Sequence, residues 1–274
     1  MTKIKRILKE KGMLISVIVI LLICSIAIAF AVYAQITNKG VKTPEDKQTD
    51  VDYEDLKNNF QDIFTNSVNK EDTAKIDINY DEFVYTRYKA KDEKSGKYSI
   101  EAKIPYFKEE NDILKNVNDE IYNTFATEIL KIASEAKIYT TYNLDYVAYV
   151  NNNIVSLVIM CKYKDGEKPQ RKIIQCYNYD IENSKLLTIE DIIEYKNLDK
   201  SEMQKKVNNE IKKVNNQIKS ISNQGYNVYS RDENSEIYQI ENTPNFFLGE
   251  NNYLYLVYAY GNDNYTSEID LIIF

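Results

Sequence analysis

Two cysteines and a scatter of carboxylates are where this sequence comes nearest to chemistry. The chain contains no His. That excludes Ser-His-Asp and Cys-His nucleophile arrangements and removes one of the commonest zinc ligands. Seven scattered glycines form no phosphate-cradling loop. Carboxylates are abundant enough that counting leaves a glycosidase-type pair open. However, Glu109-Glu110, Glu190-Asp191 and Glu233 fall beside turns or helix starts, where acidic side chains serve the helix dipole or face solvent. Asp263 and its Asn neighbours lack the spacing of a calcium loop. The expectation is a protein without a metal site or a cofactor, and not an enzyme. Cys161 and Cys176 lie on two runs that read as adjacent strands of one hairpin. A symmetric loop would place them opposite each other, within reach of a disulfide if the domain lies outside the cytoplasm. Two small buried thiols that never oxidise fit the same pattern, and the sequence leaves both readings open.

The elements that must position these residues centre on residues 142–193. Three runs rich in Val, Ile, Tyr and Thr follow one another at 139–150, 154–163 and 172–181, the composition of strands. The first alternates, with Tyr142, Leu144, Tyr146, Ala148 and Val150 on one face. The second is apolar on both faces, which predicts a central strand. Asn151-Asn152-Asn153 supplies one turn and the KDGEKPQ loop after Tyr163 the other, giving an antiparallel meander. Two earlier strands are expected around 83–88 and 98–107, with Pro105 at an edge or a strand exit. Residues 111–136 carry Leu114, Val117, Ile121, Phe125, Ile129 and Ile132 at steps of three and four, the stripe of an amphipathic helix. Thr188 can cap a short helix through Asp191. A second long helix is expected over 201–221, with a Ser201-x-x-Gln204 capping box and a stripe of Val207, Ile211, Val214, Ile218 and Ile221. A strand near 226–229 and strands at 246–248, 253–260 and 265–273 close the chain. The fold class is therefore α+β: a mostly antiparallel sheet with two long amphipathic helices on one face.

Ahead of that domain, residues 13–34 are a 22-residue run without a charge, long enough to cross about 30 Å of hydrocarbon. Lys3, Lys5, Arg6, Lys9 and Lys11 precede it, so the positive-inside rule puts residues 1–12 in the cytoplasm and the remainder outside. The expected organisation is a cytoplasmic tail (1–12), a transmembrane anchor (13–34), a polar stalk (35–72) and an extracytoplasmic α+β domain (73–274). Val32-Tyr33-Ala34 also resembles a small-residue processing site, with the cut between Ala34 and Gln35. In the stalk, Leu56, Phe60, Ile63 and Phe64 fall at helical spacing, suited to packing on the domain's own surface. Residues 1–34 carry five basic side chains against one acidic, so the net −7 of the whole chain leaves −11 on residues 35–274. Such a balance argues against nucleic acid as a partner and is compatible with a cationic one.

Several short pieces then occur in a particular order. They are an Asn-x-Asp strand (Asn178, Asp180), a turn at 182–185, and a Leu-Thr-x-x-Asp helix start at Leu187, Thr188 and Asp191. Phe246, Phe247 and Leu248 follow, then LYLVYAYGND around Tyr258 and Gly261. Over about 98–274 this order resembles the extracytoplasmic domain of RsiV-like anti-sigma factors, a domain-of-unknown-function family also found in membrane-bound peptidoglycan deacetylases. The resemblance implies a module that binds lysozyme outside the cell, the binding exposing the stalk to signal peptidase and starting release of a sigma factor. This chain departs from the pattern twice. Relatives often place Gly-Gly-Ala-His where KDGEKPQ stands, and residues 1–12 are too few to fold around a sigma factor. The resemblance and the exposure of loops together nominate the loop at 164–171 (Lys164, Asp165 and Arg171) and the aromatic end at Tyr258, Tyr260 and Tyr265 as partner contacts. The function expected is a single-pass, membrane-anchored binding or sensing domain of the cell envelope, its ligand a lysozyme-like protein or cell-wall glycan. A carboxylate-dependent cell-wall glycan enzyme and a structural accessory subunit of an envelope complex are the alternatives.

Overall fold

The computed structural model describes residues 83–108 and 111–274, together with Glu54, Lys57 and Phe60. The expected tail, membrane anchor, most of the stalk and the Ala34–Gln35 processing site lie outside the described residues. Among the described residues no helix is long and apolar enough to cross a membrane.

The class is α+β, built as two sheets rather than one. Strands β1 (Val84–Lys94), β2 (Tyr98–Phe107), β3 (Thr140–Asn151), β4 (Ile154–Asp165), β5 (Arg171–Asp180) and β6 (Lys185–Leu186) form a six-stranded sheet in sequence order. Strands β7 (Asn245–Leu248), β8 (Leu254–Ala259) and β9 (Ile269–Ile273) form a second, three-stranded sheet. All pairs are antiparallel except β2 with β3. A parallel pair needs a crossover, and helices α1 (Asp112–Ile121) and α2 (Thr127–Glu135) provide it. Between them Tyr122–Ala126 forms a π turn. The stripe explains it: Ile121, Phe125 and Ile129 follow one another at successive steps of four, which overshoots the 3.6 residues of an α turn. One wide turn takes up the excess and keeps the buried residues on one line.

Strand β4 is the centre, as its composition implies, with eight successive buried residues from Ile154 to Cys161. One face of the large sheet, with Leu144, Leu157, Ile159 and Tyr179, packs under α1, the π turn and α2 through Leu114, Val117, Ile121, Phe125 and Ile129. The opposite face, with Val147, Val158, Met160 and Ile174, packs on Phe247, Tyr255 and Val257 of the small sheet. The far side of the small sheet (Leu254, Leu256, Tyr258 and Ile272) is covered by α3 (Ile189–Tyr195) and α4 (Lys200–Ser222) through Ile192, Met203, Val207 and Ile211. The order of layers is helix, sheet, sheet, helix. The expectation of both long helices on one face is thereby corrected: an apolar stripe shows that a helix is covered, not which sheet covers it.

Helix α3 starts as expected, with reciprocal Thr188 and Asp191 capping bonds. Helix α4 is capped by Asp199 instead of Ser201. Gln204 turns away to donate to Tyr238 O and accept from Ile240 N–H. Residues 226–229 are not a strand.

The two sheets are joined along the outer edge of β5. Lys172 N–H donates to Thr266 O. Ile174 N–H donates to Asn262 Oδ1 at 3.0 Å, and Asn262 Nδ2 donates back to Ile174 O at 3.1 Å. Cys176 N–H donates to Asn245 Oδ1 at 3.0 Å, and Asn178 Nδ2 reaches Phe246 O at 2.8 Å. Leu187 N–H closes the row on Asn178 O. Asparagine side chains thus do what a seventh strand would do. Gly261 is required by this closeness, since a Cβ there would lie 2.2 Å from Lys172 O. Asn262→Leu removes both bonds to the buried Ile174 backbone and is expected to cost about 1–3 kcal/mol, read as a lowered midpoint in urea. Asn216→Ala, at an exposed position, is the control expected to stay within about 0.5 kcal/mol.

Candidate partner-binding site

The β4–β5 loop and the turn after β8 are nearly a hundred residues apart in sequence, and the fold brings them together. Arg171, the first residue of β5, donates from Nε to Gly261 O and from Nη2 to Asn262 O, both at 2.8 Å. Its guanidinium lies 5.6 Å from the Tyr265 ring centroid. Lys168 approaches the same ring at 4.9 Å and donates to Tyr265 Oη and Asp165 Oδ2, each at 3.3 Å. Those two bonds, Tyr265 first, raise the Lys168 pKa above its ordinary value. Thr140 Oγ1 also donates to Asp165, and Gly166 N–H donates to Tyr139 O. Ile138 lies against Gly166, where a Cβ would meet its Cδ1 at 3.0 Å. The result is a surface of exposed Ile138, Tyr139 and Tyr265, the last 51% exposed, held by a cationic pair. Tyr and Arg are among the side chains enriched where proteins meet.

Of the nominated contacts, Asp165, Arg171 and Tyr265 meet here, and Lys164 stands exposed at the end of β4. Tyr258 and Tyr260 do not belong to the surface, being 1% and 5% exposed. Tyr258 stands over Tyr238 in the core. Tyr260 Oη donates to Asp270 Oδ2 at 2.6 Å and shares a bond with Tyr238 Oη. Lys168, Ile138 and Tyr139 are the additions. The loop pattern points to the first; an exposed apolar pair just before a strand gives no separate signal.

Tyr260 belongs to a second cluster that the sequence does not announce. Arg231 is buried, pairs through Nε and Nη2 with both oxygens of Asp270 at 2.9 and 2.8 Å, and also pairs with Glu268. Its guanidinium lies 4.5 Å from the Tyr260 ring. Burial opposes its charge, but the bonds to Asp270 and Glu268 prevail and its pKa rises. Burial raises Tyr238 to about 12. Each ionised group is matched, so the cluster clamps the 226–235 segment onto β9.

Ahead of β1, the described Lys57 and Phe60 are also fastened. Phe60 is 1% exposed and lies between the sheets, its ring 6.0 Å from that of Phe247. Lys57 Nζ reaches Glu210 Oε2 of α4 at 3.1 Å. Both docking residues belong to the expected stalk.

The cysteines are not bridged. Cys161 pairs with Ile173 and Cys176 with Val158, an offset of three residues. An odd offset puts the two side chains on opposite faces: Cys161 packs under α1 and α2, and Cys176 between the sheets. Both are free thiols. Among the described residues no three His, Cys, Asp or Glu side chains are grouped to hold a metal.

No protein-family model and no curated protein matches the chain. Among solved structures, a DUF3298 family protein from Pseudomonas aeruginosa PAO1 is similar at 15% identity and a TM-score of 0.39, covering 69% of this chain and 86% of that one. A member of the same family from Bacteroides fragilis is similar at 11% identity and a TM-score of 0.34, covering 64% and 80%. At these scores the likeness assigns neither ligand nor activity.

Burial pushes the Cys161 thiol up to about 12, against the opposing pull of Tyr142 and Arg171, and burial raises Cys176 as well. Iodoacetamide at pH 8 is therefore expected to leave both unmodified in the folded protein and to label both in guanidinium without reductant. A requirement for reductant before labelling would show a bridge.

Proposed function

We propose that this chain is a membrane-anchored, extracytoplasmic binding domain of the cell envelope, and that its contact surface is the meeting of the β4–β5 loop with Tyr265. The observation that carries the reading is the fixing of an exposed Tyr265 by Lys168 and Arg171 beside exposed Ile138 and Tyr139. A ring preorganised in this way loses little freedom on binding. The charge-free run at 13–34 with its basic flank supports the anchor. The resemblance to RsiV-like domains suggests an extracellular protein, lysozyme-like, as the ligand.

Docking of Phe60 and Lys57 gives this reading a route from surface to stalk. A ligand that loosens the sandwich would release the stalk and open the Ala34–Gln35 bond to signal peptidase. Catalysis through carboxylates gains no support from Glu268 and Asp270, which are committed to Arg231.

The test places a photo-crosslinking residue at position 265 of the full chain in intact cells. A discrete adduct is expected from 265 and none from position 221, exposed on α4, and protease added outside should digest the domain. The same adduct from both positions, or protection of the domain until lysis, would contradict the proposal.

A further inference from the structure

Residues 84–90 read Val-Tyr-Thr-Arg-Tyr-Lys-Ala, and β1 does not pair them evenly with β2. Tyr85 lies opposite Tyr106 and Thr86 opposite Pro105, but Tyr88 is opposite Ile104, so Arg87 is one residue in excess. A bulge of this kind re-aims a side chain out of the ladder. Arg87 is exposed, and its guanidinium lies 5.8 Å from the Tyr88 ring centroid and 5.6 Å from that of Tyr106. Each of those rings is backed by another, Tyr122 at 5.5 Å from Tyr88 and Tyr85 at 5.8 Å from Tyr106. Tyr122 is the first residue of the π turn. Two backbone irregularities, one in the sheet and one in the helix layer, therefore meet at this patch, and both kinds concentrate where proteins carry function.

Arg87 differs from the other two arginines among the described residues. Arg171 is spent on the Gly261 and Asn262 carbonyls, and Arg231 on Asp270 and Glu268. The groups that act on the Arg87 charge are tyrosines, Tyr88 first and then Tyr85. No carboxylate of the described residues pairs with it, although residues 35–274 carry −11 overall. A guanidinium has five N–H donors in its plane, more than two hydroxyls can take, and rings that hold it by its face leave that plane open. Protection of an edge strand explains a charge on β1. Lys89, Lys91 and Lys94 already stand on that strand, and protection does not call for four rings. Tyr88 and Tyr122 are the open pair, 41% and 37% exposed, while Tyr85 and Tyr106 are half-buried.

We propose that this patch binds a glycan bearing a carboxylate, with a sugar ring resting against Tyr88 and Tyr122 and the carboxylate on Arg87. The planar fork of a guanidinium matches the two oxygens of a carboxylate. The C–H groups of a pyranose suit the negative face of an aromatic ring, and its hydroxyls can bond the phenol oxygens at the ring edge. None of the five side chains is aliphatic, whereas the core of a protein contact is apolar, which is why a sugar is chosen over an acidic protein segment. The patch is separate from the Tyr265 surface. Tyr98 pairs with Thr140, next to Tyr139 of that surface, and from Tyr98 to Tyr106 β2 runs about 26 Å. The proposal goes beyond the reading of that surface and does not depend on it.

Two acidic sugars are the probes, titrated calorimetrically into the full detergent-solubilised chain at pH 7. The disaccharide of N-acetylglucosamine and N-acetylmuramic acid carries its carboxylate on a lactyl ether, and trigalacturonic acid carries its carboxylates on the rings. They distinguish the two sources of such a group, a cell-wall amino sugar and a uronate polymer. Saturable binding of one or both is expected, with the neutral chitotetraose much weaker. Arg87→Gln should weaken binding about tenfold, and Arg87→Lys, which keeps the charge and loses the fork, by less. Tyr88→Leu, which keeps an apolar side chain and removes the ring, should weaken it at least about threefold. Urea midpoints of the Arg87 variants should stay at the parent's value, and Lys219→Gln on α4 should bind as the parent does. The proposal is overturned if neither acidic sugar binds, if chitotetraose binds as well as they do, if Arg87→Gln binds undiminished, if Lys219→Gln loses as much, or if poly-glutamate binds more tightly than both sugars.

Discussion

The outer edge of β5 is the constraint on which the architecture depends. A strand edge carries a row of N–H and C=O groups that must be satisfied once they are covered. Here they are covered by a second sheet that supplies asparagine side chains and one carbonyl instead of a strand. The inter-sheet core of Val158, Met160, Ile174, Phe247, Tyr255 and Val257 can exist only if those groups are matched. The same join seats Gly261 against Lys172 and so presents the Gly261 and Asn262 carbonyls to Arg171. The position of Tyr265 follows from that edge. A surface of exposed residues is therefore held by a buried, directional set of bonds.

The second polar investment is the Arg231 cluster, which holds a segment without regular structure. Tyr226, Val228 and Tyr229 have strand-like composition, yet the segment is placed by one guanidinium matched to Asp270 and Glu268 and stacked on Tyr260. A lone buried charge would be severely destabilising; one with two carboxylates and a ring is tolerable and specifies a single arrangement. Phe60 wedged between the sheets and Lys57 on Glu210 do the same for the described residues before β1, so two places that pattern alone leaves loose are each fixed by one or two residues.

What was legible in the sequence was whatever repeats. The alternation of β3, the doubly apolar β4, the stripe of the first helix and the Thr188 cap each occupy several positions, and the structure has them at nearly those positions. What depends on a single residue was not legible. In a chain this rich in Asn, nothing marks Asn245 and Asn262 as the ones that close β5. Asp199 and Ser201 both suit a helix cap, and which one acts is decided by Gln204 being drawn to Tyr238 and Ile240. Tyr258 and Tyr260 were nominated by the resemblance, whereas β8, which carries Tyr258, lies between a sheet and helices and is buried throughout, and Tyr260 just after it is buried too. Between the two readings left open for the cysteines, three residues of loop asymmetry decide, enough to reverse a face. The β4–β5 connection was legible as a loop, and its meeting with Tyr265 was not, since that contact joins residues nearly a hundred positions apart.

Amide hydrogen exchange tests the central claim most directly. If side chains close the edge of β5, the Ile174 and Cys176 amides have no route to solvent short of separating the sheets. They should then exchange as slowly as the Val158 amide in the central strand, by global opening. Exchange of Ile174 and Cys176 at the rate of amides in the exposed turn between β1 and β2 would contradict the account, because the small sheet would then be a loosely resting layer instead of the closure of the large one.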